Sequence, residues 1–190
     1  MNKILISSIA AITIVASAQA ATIPFDLTGT AGAGLLPGNE TSSTGTGSGG
    51  EIGAGITYDT VAFTLAVNVG WGLANGFGNL TGLVTAQHIH GPTASNNGAG
   101  FTQTAGVLFG LTTATNTVTG GTISQTIGPL TAAQQTDLFN GKYYVNLHTG
   151  ANGGGEMRGF LVQAPEPASA ALLGLGAVGL LARRRRTARA

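Results

Sequence analysis

Three histidines and one glutamate carry most of the coordination chemistry open to this chain. His88 and His90 stand two residues apart at the end of the run Val84–His90. His148 ends the run Tyr143–His148, and Glu156 begins Glu156-Met157-Arg158-Gly159. In an extended strand, residues i and i+2 point to one face, so Val84, Ala86, His88 and His90 are expected to share a face. A third imidazole arriving from a second strand completes a set of three nitrogen ligands suited to Cu or Zn. Hairpin pairing would bring Glu156 near His148, as a fourth ligand or as the acceptor for an imidazole N–H. The competing reading is structural: the same side chains bond backbone carbonyls or Glu156 at the rim of a sandwich. Both stand open on the residues alone. A metal site requires ring nitrogens within about 3–4 Å of one another, since each metal–nitrogen bond is ~2.0–2.1 Å.

No catalytic residue is assigned. No Ser sits on a Gly-x-Ser-x-Gly elbow. The tract 45–55 is Gly-rich but lacks the Lys-Ser/Thr of a phosphate loop. Zero Cys excludes disulfides, thiolate metal sites and a thiol nucleophile. The chain therefore reads as a binding protein rather than an enzyme. Trp71 and Phe77 form a possible aromatic platform for sugar, against the alternative that they plug a sandwich core.

Charge is segregated. Of 190 residues 8% are charged, and Arg183, Arg184, Arg185, Arg186 and Arg189 all fall in the last eight positions. Residues 21–164 keep two bases, Lys142 and Arg158, against six acids: Asp26, Glu40, Glu51, Asp59, Asp137 and Glu156. A mildly acidic body without a basic stripe excludes nucleic acid as a partner.

The elements that must position these residues read as strands. Ile23, Phe25 and Leu27 alternate with polar neighbours. So do Val61, Phe63, Leu65, Val67 and Val69, read as one face of a long strand, and Val107, Phe109 and Leu111. Tyr143, Val145 and Leu147 alternate with Tyr144, Asn146 and His148; Met157, Gly159 and Leu161 alternate with Glu156, Arg158 and Phe160. Turn signals such as Gly120-Gly121 and Asn152-Gly153-Gly154-Gly155 separate them. Thr131-Ala132-Ala133-Gln134 is a capping box that starts one short helix, and Asn140-Gly141 stops it. The segment Pro37–Gly50 is expected to be a mobile loop. Seven or eight short strands predict an all-β Greek-key β-sandwich, immunoglobulin-like or superoxide-dismutase-like, with one helix.

Both ends read as addresses. Lys3, an apolar run from Ile4 to Ala18, and Ala18-Gln19-Ala20 make a secretory signal peptide over residues 1–20, cut after Ala20. At the other end Pro165-Glu166-Pro167 precedes an uncharged run from Ala168 to Ala182 and the cluster Arg183–Arg186. Both apolar runs are expected to be helical. The second is short for a permanent span, and its Arg cluster should stay cytoplasmic.

That C-terminal order, over residues 165–190, resembles the PEP-CTERM sorting signal of Gram-negative bacteria. The resemblance implies an exosortase-type sorting enzyme as partner and transient anchoring in the inner membrane. It further implies release or attachment at the cell surface, in bacteria that make exopolysaccharide and biofilm matrix. The body, residues 21–164, resembles the CHRD (chordin-type) domain. The match is carried by Ala86-Gln87-His88-Ile89-His90-Gly91-Pro92, by Tyr143-Tyr144-Val145-Asn146-Leu147-His148-Thr149, and by Gly154-Gly155-Glu156-Met157-Arg158-Gly159. It implies a secreted β-sandwich acting by interaction, with exopolysaccharide or surface proteins as candidate partners. The alternative function is a Cu- or Zn-binding protein using the three histidines, with oxidoreductase chemistry as an extension.

Overall fold

The computed structural model describes residues 21–94 and 101–165. The two expected targeting helices lie outside the described residues. So do the processing residues Ala18 and Ala20 and the sorting residues Glu166, Pro167 and Arg183–Arg186.

The fold is all-β with one short helix, as expected. Among the described residues nine strands run in chain order as β1 (Thr22–Thr28), β2 (Gly49–Asp59), β3 (Thr64–Trp71), β4 (Val84–His90), β5 (Val107–Gly110), β6 (Thr113–Asn116), β7 (Gly121–Ile127), β8 (Tyr144–Thr149) and β9 (Met157–Gln163). The helix α1 spans Ala132–Phe139, between β7 and β8. All pairings are antiparallel, in one sheet of order β5-β4-β8-β9-β1-β2-β3-β7-β6.

The two edge strands, β5 and β6, are consecutive in sequence, separated only by Leu111 and Thr112. The sheet therefore curls until its ends meet, and the two halves become the layers of a sandwich. The Asn116 amide clasps the seam: Val84 N–H donates to Asn116 Oδ1 at 3.1 Å, and Asn116 Nδ2 donates to the Val84 carbonyl at 2.8 Å. Closure of this kind hides edges that would otherwise template aggregation. The core lies between the layers, where Val67, Val69, Trp71 and Ile123 join one cluster with Ile89, Val145, Leu147 and Met157.

Alternation placed the core faces of β1, β3 and β8 well, and its failures have local causes: on β5 the register against β4 shifts between Ile89 and His90, and Val107 is 56% exposed while Leu111 beyond it is buried. The face of β3 is Leu65, Val67 and Val69, all buried, while Val61 and Phe63 are 55% and 45% exposed. Asp59 ends the alternation early. Its carboxylate accepts the Val61 and Ala62 N–H groups at 2.8 Å, nucleating the turn into β3. Val84 leaves the histidine face because the β4–β8 register shifts between Val84 and Ala86, which turns Val84 into the core. Trp71 is fully buried and donates from Nε1 to the Thr117 carbonyl at 3.0 Å, so it is a core plug and not a sugar platform. The stretch Pro37–Gly50 was expected to move freely. It is instead tied down: Ser43 Oγ donates to the Glu156 carbonyl at 2.7 Å, and Thr44 N–H to Asn152 Oδ1 at 3.0 Å. The helix keeps its capping box, with Thr131 and Gln134 exchanging bonds, and Gly141 turns the chain at φ 66°. Leu138 docks it, fully buried.

Candidate metal centre

The site is built by the register of β4 against β8. His88 faces Asn146, His90 faces Tyr144, and Ala86 faces His148. His148 is thus the diagonal neighbour of His88, within reach of long side chains across the pair. The odd-numbered residues Ile89, Val145 and Leu147 fill the core, so the three imidazoles rise from the opposite face. They meet on the face of the sheet, not at its rim. On β9, Arg158 faces Asn146 and Phe160 faces Tyr144, extending the same polar face.

The imidazole ring centres lie 5.2 to 6.0 Å apart. His88 Nδ1 is 3.3 Å from His148 Nε2, and one nitrogen of each of the three rings falls within 4.8 Å of the others. Tetrahedral bonds of ~2.0–2.1 Å place ligand nitrogens roughly 3.3–3.4 Å apart. The His88–His148 pair already has that spacing, while the set of three spreads to 4.8 Å, so an ion shared by all three requires the rings to draw closer together. Backbone carbonyls set the tautomers. His90 Nδ1 lies 2.9 Å from the Ala105 carbonyl and His148 Nδ1 2.9 Å from the Gly153 carbonyl. A carbonyl only accepts, so both Nδ1 atoms carry the proton; His148 Nε2 then accepts from His88 Nδ1, and the His90 Nε2 lone pair is left free. His90 Nε2 is buried and has no hydrogen-bond partner. Tyr144 stacks on the His90 ring at 5.0 Å and holds its plane.

The electrostatics favour ligands. Burial, then the charges that His148 and His90 would carry, hold His88 below the usual imidazole value. Burial lowers His90 as well, partly offset by its bond to Ala105. Both are therefore neutral at pH 7, the form that binds metal.

Glu156 is not brought into this group. Its carboxylate is fully buried and accepts the Thr81 N–H at 2.8 Å, the Gly47 N–H at 3.3 Å and the Thr149 hydroxyl at 2.7 Å. It fastens three segments together, and the acceptors for the imidazole N–H groups are carbonyls instead. Arg158 stands two residues after Glu156 but does not pair with it. Its partner is Glu40, whose Oε2 lies 3.9 Å from Arg158 Nε. Arg158 also donates to the carbonyls of Asn39, Gln103 and Phe101, and its guanidinium lies 5.0 Å from the Tyr144 ring centre. One buried cation thus draws two covering segments onto the polar face, as a buried charge requires.

Gly91, Gly159 and Thr149 of the motifs are structural. A side chain on Gly91 would run into the Tyr143 ring, so the Gly91-Pro92 turn needs glycine. One on Gly159 would meet the Gly34 carbonyl at 2.7 Å. Thr149 is the buried hydroxyl on Glu156. Sequence reasoning missed Glu40, Asn39 and the carbonyls of 101–105. Their partner Arg158 lies more than fifty positions from Glu40, Asn39, Phe101 and Gln103, and carbonyls carry no residue signature.

A family model described as the CHRD domain matches residues 30–161, and one described as the PEP-CTERM protein-sorting motif matches residues 163–186. No curated protein and no solved structure is significantly similar.

Proposed function

Because the chain belongs to the CHRD-domain family and ends in a PEP-CTERM sorting motif, we propose that it is an exported metal-binding domain, taking Cu or Zn at His88, His90 and His148. The sorting motif marks it for an exosortase-type enzyme and for the envelope or surface of a Gram-negative bacterium. The acting body is residues 21–164, freed of its signal peptide, with the segment from Pro165 serving sorting and transient anchorage. Its role outside the cell is binding, and the metal is the ligand that the geometry favours.

The observation that carries this reading is the convergence of three imidazoles. Two of them have Nδ1 tied to carbonyls, and each offers a nitrogen within 4.8 Å of the others. A structural role would leave His90 Nε2 a stranded buried acceptor, at about 1–3 kcal/mol.

Elemental analysis of the purified protein tests it. One equivalent of Cu or Zn is expected, lost when His88→Ala and His148→Ala are combined. Protein that remains metal-free under saturating Cu and Zn removes the proposal and leaves surface interaction through loops and faces as the function.

A further inference from the structure

Among the described residues, four buried side-chain atoms lack a hydrogen-bond partner: Glu40 Oε1, His90 Nε2, Tyr143 OH and Asn146 Oδ1. Three of them belong to the histidine face or to the segment that covers it. Tyr143 is the exception, on the core side of β8.

Asn146 occupies the centre of that face. It stands directly across from His88 on β4 and from Arg158 on β9, and two residues before His148 on its own strand. Glu40 reaches the same place from above. Its Oε1 and Asn146 Oδ1 each lie 2.6 Å from the point that a Cβ on Gly155 would occupy, so they are separated by no more than twice that distance. Gly155 belongs to the same short connection as Gly153, whose carbonyl holds His148. The absent side chain leaves a small nook lined by Glu40 Oε1, Asn146 Oδ1 and Asn146 Nδ2, the last 2.8 Å from the same point, on the face that carries the imidazoles. Glu40 and Asn146 are both about nineteen-twentieths buried, with side-chain exposure of 5% and residue exposure of 3%.

Neither oxygen accepts a hydrogen bond from Asn146 Nδ2 or from any other protein donor among the described residues, so each is a buried acceptor that calls for one. A donor with two protons satisfies both at once, and a metal-bound water is such a donor, with its lone pair on the ion and both protons outward. Three protein ligands leave a fourth position for it. We propose that Asn146 Oδ1 and Glu40 Oε1 are the positioning groups for a water bound to the metal at His88, His90 and His148. This rests on the metal reading above. Glu40 then acts through the water, not as a ligand, which agrees with its absence from the group of converging nitrogens. The nook makes the centre a nitrogen site with one oxygen position held open to small ligands.

The test uses the full chain in detergent, with Zn affinity measured by competition against a chromophoric chelator. Glu40→Gln and Asn146→Ala are compared with the parent, and thermal unfolding confirms that each variant is folded. Outer groups that orient a metal's ligands are worth 10–100-fold in affinity, so each variant should bind Zn about 10–100-fold more weakly with stoichiometry kept at one. Replacing Zn by Co(II) should show altered visible absorption bands in Glu40→Gln, a change that looser packing elsewhere does not produce. Zn affinity and Co(II) bands unchanged in Glu40→Gln would overturn the proposal, whatever Asn146→Ala does. The two oxygens would then belong to a direct Glu40–Asn146 contact. A parent chain that takes up no metal defeats the metal reading itself, and this one with it.

Discussion

Glu156→Ala separates the clasp that the structure shows from the ligand that sequence alone suggested. The carboxylate holds two backbone N–H groups, from Thr81 and Gly47, and the Thr149 hydroxyl, in a fully buried position. The hydroxyl can rotate to another acceptor; the two N–H groups cannot. Each stranded donor costs about 1–3 kcal/mol, giving roughly 2–6 kcal/mol for the substitution. For a domain of this size a loss of about 4 kcal/mol corresponds to a fall in Tm of roughly 12–20 °C. Glu156→Gln keeps an acceptor oxygen and loses the charge assistance, so about 1–2 kcal/mol is expected. The assay is thermal unfolding followed by circular dichroism, paired with Zn or Cu titration at a temperature where the variant is folded. Metal affinity should stay at the parent value in Glu156→Gln. If that variant unfolds like the parent but loses its metal, the carboxylate is a ligand and the clasp argument is wrong.

Other substitutions and pH report on the same architecture. Arg158→Ala removes a buried cation and leaves Glu40 uncompensated; about 3–5 kcal/mol should be lost, read from the urea midpoint. His88 and His90 have values lowered below the ordinary 6.5 by burial, so below that pH the unfolded chain binds more protons than the folded one. The metal-free domain should therefore lose stability as pH falls from about 6.5 toward the lowered folded values, and a His88→Gln/His90→Gln variant should show a flatter profile. Glu40 works in the opposite sense: burial, only partly offset by Arg158, raises its value above 4.5. Its burial penalty is present at neutral pH and relieved as pH drops through the raised value, so Glu40→Gln should remove that upturn from urea midpoints. Tyr143 is pushed up to about 12 by burial, with Asp137 adding to it. Phenolate absorbance should show a tyrosine titrating there, and Tyr143→Phe should abolish that component.

The strand faces were legible because burial on one side of a sheet imposes a period of two. Phe25 and Leu27, Leu65 to Val69, and Val145 with Leu147 are core residues as alternation predicted. The helix was legible because its capping box and stop glycine are local chemistry. The C-terminal sorting motif was legible for the same reason, since composition and order within a few residues carry it. Alternation failed where something outside the period intervened: the Asp59 turn released Val61 and Phe63, and the register shift turned Val84 inward.

The candidate site divides along the same line. Sequence by itself supplied an all-β exported domain, three imidazoles on strands, and no competing thiol or basic surface. It also placed His88 and His90 on one face, a consequence of strand geometry alone. Only the tertiary structure decided that β4 lies beside β8 in the register that sets His148 diagonal to His88. Only it assigned the imidazole protons to the Ala105 and Gly153 carbonyls, took Glu156 away as a clasp, and brought Glu40 across 118 positions to Arg158. Those pairings join segments remote in the chain, and the free energy that selects them comes from burying the whole curled sheet at once. No local pattern of residues can encode them.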